Sequence, residues 1–266
     1  MADTPVPAPT PSDELFTVAG KTVVVTGGSR GIGRMIAGGF VAAGADVVIA
    51  SRKADAVDST VAELSARGSV SGLAADLSTE EGARAFAAAV AADHDRVHVL
   101  VNNAGATWGA PLADHDAASW DRVLDLNVQG VFHTTKFLLP LLEAASAPDD
   151  PARVINIGSI DGIHVPVLES YSYSASKAAV HQLTRHLARA LAPGITVNAV
   201  APGPFESKMM AATLEAFGET IAASAPLKRI GRPDDMAGVA IFLASRAGSY
   251  LTGAIIPVDG GIATVG

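Results

Sequence analysis

Tyr173 and Lys177 stand four residues apart in a stretch of helical composition, which puts both on one helix face. A phenol titrates near ~10, and an ammonium beside it favours phenolate, drawing the proton into a useful range near neutral pH. In that setting Tyr173 is a general acid for a carbonyl being reduced and a base in the reverse direction, whereas Tyr171 lacks such a partner. Ser159, at the end of the apolar run Arg153 to Ile157, offers a hydroxyl able to hydrogen-bond the same oxygen.

The hydride such chemistry needs has a carrier site near the N-terminus. Thr26-Gly27-Gly28-Ser29-Arg30-Gly31-Ile32-Gly33 follows an apolar run and opens a helical segment. Glycines there permit a tight turn and let backbone amides approach a pyrophosphate, whose charge the helix N-terminus favours. Gly27, Ser29, Arg30, Gly31, Ile32 and Gly33 are therefore expected to hold a dinucleotide. At the end of the next strand, where an acidic residue would bond an adenosine 2′-hydroxyl, stands Ser51-Arg52-Lys53. No carboxylate is there to repel a 2′-phosphate, and Arg52 and Arg30 can grip one, so the cofactor expected is NADP(H).

These residues must be positioned by elements the sequence also announces. Short Val- and Ile-rich runs alternate with Ala-rich segments, the pattern of a parallel sheet with helices on both faces. Strands are expected at Thr22 to Val25, Asp46 to Ala50, Val70 to Ala74, Val97 to Val101, Arg153 to Ile157, Ile195 to Val200 and Ala254 to Pro257. Helices are expected near Ile32 to Ala43, Ala54 to Arg67, Thr79 to Asp93, Ala117 to Leu142, Ser174 to Leu191 and Asp234 to Leu243. The fold class is α/β: one Rossmann-type, doubly wound domain over residues 17–266, with a sheet of about seven strands. Residues 1–16, rich in Pro and acidic side chains, read as a flexible extension, and residues 204–224 as a mobile lid over the substrate.

Further motifs fall in order along this frame. Asn102-Asn103-Ala104-Gly105 follows the fourth strand, Leu126-Asn127-Val128 lies in the long helical segment, and Ser159, Tyr173 and Lys177 come after. With the glycine pattern, this set resembles the short-chain dehydrogenase/reductase family from about Lys21 to the C-terminus. The resemblance implies a catalytic set of Asn127, Ser159, Tyr173 and Lys177, with Asn127 holding a water that connects Lys177 to solvent through a helix kink. It also implies that Asn103, Ala104 and Gly105 line the adenine ribose while their segment sustains the sheet, and that Asp76-Leu77 meets the adenine ring. Pro202-Gly203 would meet the nicotinamide, and Ser207, where the family usually has Thr, would bond its carboxamide. A homotetramer or homodimer is the assembly implied.

Three stretches resemble more narrowly the β-ketoacyl reductases of the rhamnolipid-biosynthesis type: Ala104 to Gly109, Ala152 to Ser159, and Pro204-Phe205 with Ser207-Lys208-Met209. A 3-oxoacyl thioester is the substrate this implies, and Phe205, Met209, Met210, Leu214 and Phe217 could cover its acyl chain. The rival readings are an alcohol, polyol or steroid dehydrogenase of the same fold and a catalytically silent NADP-binding regulator. The intact Asn127, Ser159, Tyr173 and Lys177 argue against the silent module.

Composition closes other routes. With 19 Lys and Arg against 27 Asp and Glu, the net charge of −8 and the lack of a basic run argue against nucleic acid. Cysteine is absent, which removes thiolate metal sites and Cys nucleophiles. The seven histidines show no metal-ligand spacing, and Gly158-Ser159-Ile160 lacks the nucleophile-elbow pattern of serine hydrolases. His164 alone draws attention, since it lies in the loop after Ser159. No run approaches the ~18 apolar residues of a membrane span, and neither leader nor membrane contact is expected, so a cytoplasmic enzyme is the expectation.

Overall fold

The computed structural model describes residues 9–166, 168–207 and 210–265. Its sheet contains β1 (Thr22–Thr26), β2 (Asp46–Ser51), β3 (Val70–Ala74), β4 (Val99–Asn102), β5 (Ala152–Ile157), β6 (Ile195–Pro202) and β7 (Ile255–Val258). The strands lie in the order β3-β2-β1-β4-β5-β6-β7, every neighbouring pair parallel. The helices are α1 (Ser12–Leu15), α2 (Gly31–Ala42), α3 (Ala54–Leu64), α4 (Glu80–Asp93), α5 (Ala117–Leu124), α6 (Val131–Ala145), α7 (Tyr171–Leu191), α8 (Ala211–Ser224), α9 (Pro233–Ala244) and α10 (Ile262–Val265).

The continuous apolar runs have a simple cause: successive side chains point to opposite faces, and both faces are covered. Val23, Val25, Val47, Ile49, Val99 and Val101 enter one core with Ile36 and Phe40 of α2 and Met236 and Leu243 of α9. Val24, Val48, Leu100 and Val154 enter the other with Phe86 of α4 and Leu138 and Leu142 of α6. The expected doubly wound sheet is thus the observed one, and strand boundaries move by only one or two residues.

A polar ladder crosses this apolar interior. The Asn102 amide donates to Thr135 Oγ1 at 3.0 Å and to Asn156 Oδ1 at 2.9 Å, and the Asn156 amide donates to Thr184 Oγ1 at 2.9 Å. The two threonines return their hydrogens to Val131 and Val180 carbonyls within their own helices. Each buried group is satisfied, so the ladder fixes α6 and α7 against β4 and β5 in one register.

Two expectations need correction. The segment Ala117 to Leu142 is not one regular helix: α5 and α6 are joined by a π turn, Asp125–Gly130, which carries Asn127. The acidic, Pro-rich start does not stay extended as far as Phe16, because Ser12–Leu15 forms a helical turn and the Phe16 ring lies 6.5 Å from that of Phe242. Residues 1–8 of that extension fall outside the described residues.

At the opposite edge of the sheet from the glycine turn, Arg153 is 1% exposed. It donates to the carbonyls of Leu243 at 3.1 Å and Ser245 at 3.1 Å and pairs with Asp150 at 2.9 Å. Arg153→Ala leaves two buried carbonyls without their donor, and we expect it to lower unfolding stability by about 2 to 4 kcal/mol. Urea unfolding monitored by circular dichroism tests this, an unchanged midpoint contradicting it.

Candidate active site

The predicted site residues gather at the C-terminal ends of the strands, where an open α/β sheet binds ligands beside its switch in strand order. Here the switch lies between β1 and β4. Thr26, the last residue of β1, is the hub: its Oγ1 accepts from the amides of Asn103 at 2.9 Å and Ala104 at 3.0 Å. Asn103 answers with its own side-chain amide, donating to the carbonyls of Thr26 at 2.9 Å and Gly27 at 3.2 Å. Its side chain is therefore a clamp between the two loops rather than a free ligand group.

The glycine turn is as tight as its sequence implies. Gly27 and Gly31 have φ of 66° and 53°, a region that costs little only for glycine. A Cβ on Gly33 would lie 2.3 Å from Asn103 Nδ2 and 2.4 Å from the Gly27 carbonyl, so no side chain fits. Ser207 approaches the same turn from the far side, its Cβ 3.2 Å from where a Gly31 Cβ would be. A turn stripped of side chains at the N-terminus of α2 fits a pyrophosphate.

The remaining cofactor candidates surround this turn. Arg30 and Arg52 are exposed and Ser51 is half-buried at the end of β2. Asp76 receives Ser78 amide and hydroxyl hydrogens at 3.1 and 2.8 Å, bonds that hold its carboxyl below the usual range, with Arg52 adding to the effect. Leu77 places its side chain in the core. Pro202 ends β6, and the Gly203 amide donates to Val258 at 3.0 Å, next to Asp259.

The chemistry-bearing groups lie on the other side of β4. Ser159 closes β5 and its Oγ accepts from the Asp161 amide at 3.1 Å, which leaves its hydrogen free to donate. Lys177 is 5% exposed, and its Nζ donates to the Ile157 carbonyl at 2.7 Å and lies 5.5 Å from the centre of the Tyr173 ring. Burial holds the Lys177 ammonium down to about 8, with Asp161 opposing. Burial pushes the Tyr173 phenol up to about 12, the Ser159 hydroxyl opposes, and the Asp161 charge adds to the rise.

The expected fall of the phenol toward neutrality is thus not observed. The ammonium is committed to a carbonyl, and desolvation of the phenolate dominates. Tyr173 is instead a protonated phenol throughout the neutral range, which is the form a general acid requires. Asn127 also differs in detail. Its Oδ1 accepts from Ala106 N at 2.8 Å, and its Nδ2 donates to the Ala106 carbonyl and to Ser176 Oγ, both at 2.9 Å. Both amide hydrogens are used, while Oδ1 keeps a second lone pair on the side facing Gly105. Gly105 allows the approach, since a Cβ there would lie 3.3 Å from Asn127 Oδ1 and 3.8 Å from Lys177 Nζ.

Sequence reasoning missed Thr26 as hub, Ser176 as the partner of Asn127, and His181. His181 is 5% exposed and sits under the Ser159 turn, where a Cβ on Gly158 would lie 2.2 Å from its Nε2 and one on Gly162 2.9 Å from its Cε1. Burial, then the Lys177 charge, holds it down to about 4. The available signal was its place four residues after Lys177, with glycines flanking Ser159. The acyl-cover set is reduced as well. Phe205 is 2% exposed and packs on Gly231, and Met209 lies outside the described residues. Leu214 does line a cavity of about 530 Å³ with Glu206, Ser207 and Ile230, and Phe217 is exposed.

A sheet of this order with Ser159, Tyr173 and Lys177 at its carboxyl edge defines a hydride-transferring enzyme class, and similarity to known proteins gives it a family. The profile of the family described as enoyl-(acyl carrier protein) reductase matches residues 23–263. The chain belongs to the short-chain dehydrogenase/reductase family of oxidoreductases. It is 48% identical over 250 residues to the rhamnolipids biosynthesis 3-oxoacyl-[acyl-carrier-protein] reductase of Pseudomonas aeruginosa, spanning 92% of this chain and 97% of that protein. The solved Pseudomonas aeruginosa RhlG/NADP active-site complex superposes with a TM-score of 0.91 at 47% identity, covering 94% of this chain and 99% of that one. The 2-dehydro-3-deoxy-D-gluconate 5-dehydrogenase of Pseudoalteromonas atlantica is 37% identical over 257 residues, 93% of this chain and 98% of that protein.

Tyr173→Phe removes the donor and keeps the ring, and we expect turnover to fall by ~10² to 10⁴ with cofactor affinity retained. Steady-state rates together with fluorescence titration of the cofactor check this; full turnover by Tyr173→Phe with loss in Tyr171→Phe would reverse the assignment. Because Lys177 loses its charge as pH rises through about 8, the reduction rate should decline on that alkaline limb. In Lys177→Arg, whose guanidinium keeps its charge, whatever activity remains should lose that limb.

Proposed function

We propose that this chain is an NADPH-dependent reductase that converts the ketone of a 3-oxoacyl thioester to a secondary alcohol. The observation that carries the reading is the convergence of a side-chain-free glycine turn, a donor-ready Ser159 and a protonated, half-buried Tyr173 at one edge of the sheet. When bound at the glycine turn, a reduced nicotinamide dinucleotide would supply the hydride for the carbonyl carbon. Ser159 and Tyr173 hydrogen-bond the carbonyl oxygen, so the charge that develops on it is met by two donors already in place. Tyr173 then gives that oxygen its proton. Lys177, protonated below about 8, supports the phenol and the cofactor ribose from below, and Asn127 keeps α5 and α6 in phase so that the loop at Ala106 faces the site.

The choice of NADPH is supported by Arg52 and Arg30, both exposed and without a carboxylate at the end of β2 to compete for them. The choice of thioester is supported by the 48% identical relative and by the apolar Trp108, Leu112, Ile163 and Leu168 that remain exposed on the loops around Ser159. Assembly as a homodimer or homotetramer belongs to the same proposal, supported by the exposed rings of Phe132 and Tyr250, and so does action in the cytoplasm.

Arg52→Ala should weaken NADPH several-fold and leave NADH little changed, because only the former carries the 2′-phosphate; equal affinities in the parent protein would contradict the cofactor choice. Catalytic efficiency on oxoacyl thioesters should rise with acyl length, each buried methylene contributing ~0.8 kcal/mol. The panel runs from acetoacetyl-CoA to longer homologues, followed at the nicotinamide absorbance band. Absence of turnover at every length, alongside brisk reduction of a sugar or steroid ketone, would move the chain to the polyol or steroid reading.

A further inference from the structure

Asp161 sits two residues after Ser159 in the short turn Ile160–Gly162, with its amide bonded to Ser159 Oγ at 3.1 Å. That turn is pressed onto α7: a Cβ on Gly162 would lie 2.8 Å from the Ala178 amide nitrogen and 2.8 Å from the Lys177 carbonyl carbon. The turn thus seats Asp161 beside Ser159 and against the stretch of α7 that carries Lys177. Its charge is felt by Tyr173, Lys177 and His164. Burial raises its carboxyl above the ordinary value, His164 and Lys177 opposing.

The surroundings offer little to offset a second negative charge. The two loops flanking Ser159, residues 106–116 and 160–170, contain Asp114, Asp116, Asp161 and Glu169 and no Lys or Arg. Of these, Asp116 caps α5 through Ser119 at 2.8 Å and Glu169 accepts from Tyr171 at 3.1 Å, while among the described residues no side-chain hydrogen bond engages the Asp161 carboxylate. Lys177 is committed to the Ile157 carbonyl, and His164 Nδ1 lies 3.0 Å from the Val165 carbonyl.

We propose that Asp161 is a specificity-determining residue that excludes ketones bearing a carboxylate near the carbonyl and admits those whose acid group is masked as an ester or thioester. This deepens the thioester reading and rests on it. A like charge brought into a partly desolvated site costs enough to suppress binding many-fold, whereas the neutral ester avoids that cost.

The test compares ethyl acetoacetate with acetoacetate, the same ketone with and without the charge, by NADPH oxidation at neutral pH. The parent protein should prefer the ester by at least about 100-fold in kcat/KM. Asp161→Asn should raise the acetoacetate-to-ester ratio about tenfold whatever happens to the absolute rates, and Asp161→Ser should do the same if the Asn variant folds poorly. A purely structural role would depress both substrates together and leave the ratio where it was. An unchanged ratio in the folded variants, or a parent protein that reduces both substrates equally well, overturns the proposal. If the parent reduces neither of these nor any oxoacyl-CoA of the panel, the thioester reading fails instead, and the charge test is then read on D-fructose against 5-ketogluconate with the same expected change in ratio.

Discussion

The bond from Lys177 Nζ to the Ile157 carbonyl, 2.7 Å long and buried, is the constraint on which the site is built. It ties the middle of α7 to the end of β5, and the two elements can come that close only because Gly158 and Gly162 present no side chain to it. A buried ammonium needs an oxygen, and the strand end supplies one. Once this contact is made, Tyr173 one turn before Lys177 and His181 one turn after it are fixed in height and rotation, and Ser159 is held opposite them. The raised phenol and the lowered ammonium follow from the same burial.

The rest of the interior serves that contact. The ladder from Asn102 through Asn156 to Thr184 prevents α7 from sliding along the sheet, and the bonds of Asn127 to Ala106 bring in the loop after β4. Thr26 then joins that loop to the glycine turn. Cofactor edge and acid edge are thus mechanically continuous through a few polar side chains embedded in two apolar cores. Apolar contact sets how strongly the layers adhere, but it has no direction, whereas these hydrogen bonds select one register.

The architecture was legible because it depends on periodicity. Val and Ile runs covered on both faces can hardly be anything other than parallel strands, and Gly27 to Gly33 mark the first crossover. Tyr173, Ser159 and Lys177 were legible because their types and spacing carry the chemistry. What sequence could not reveal is where a polar side chain points once it is enclosed. Asn103 and Asn127 look like ligand groups in the sequence, yet Asn103 bonds backbone carbonyls and Asn127 bonds Ala106 and the Ser176 hydroxyl, and Phe205, which looks like an acyl cover, faces Gly231. The electrostatics were hidden for the same reason, because a cation four residues away along a helix acts on a phenol only as far as its own partner and the local burial allow.

The π turn Asp125–Gly130 amounts to one residue more than a regular helix would hold there, and that residue sets the phase of everything after it. Loss of a single codon in this stretch would restore ordinary helical geometry and turn one flank by about 100° relative to the other. Asn127 would leave Ala106 and the apolar face of α5 or α6 would turn from the core, although the helix itself would be more regular. Length variation that surface loops absorb freely is therefore closed to this segment, and the gene's freedom here is limited by arithmetic rather than by composition.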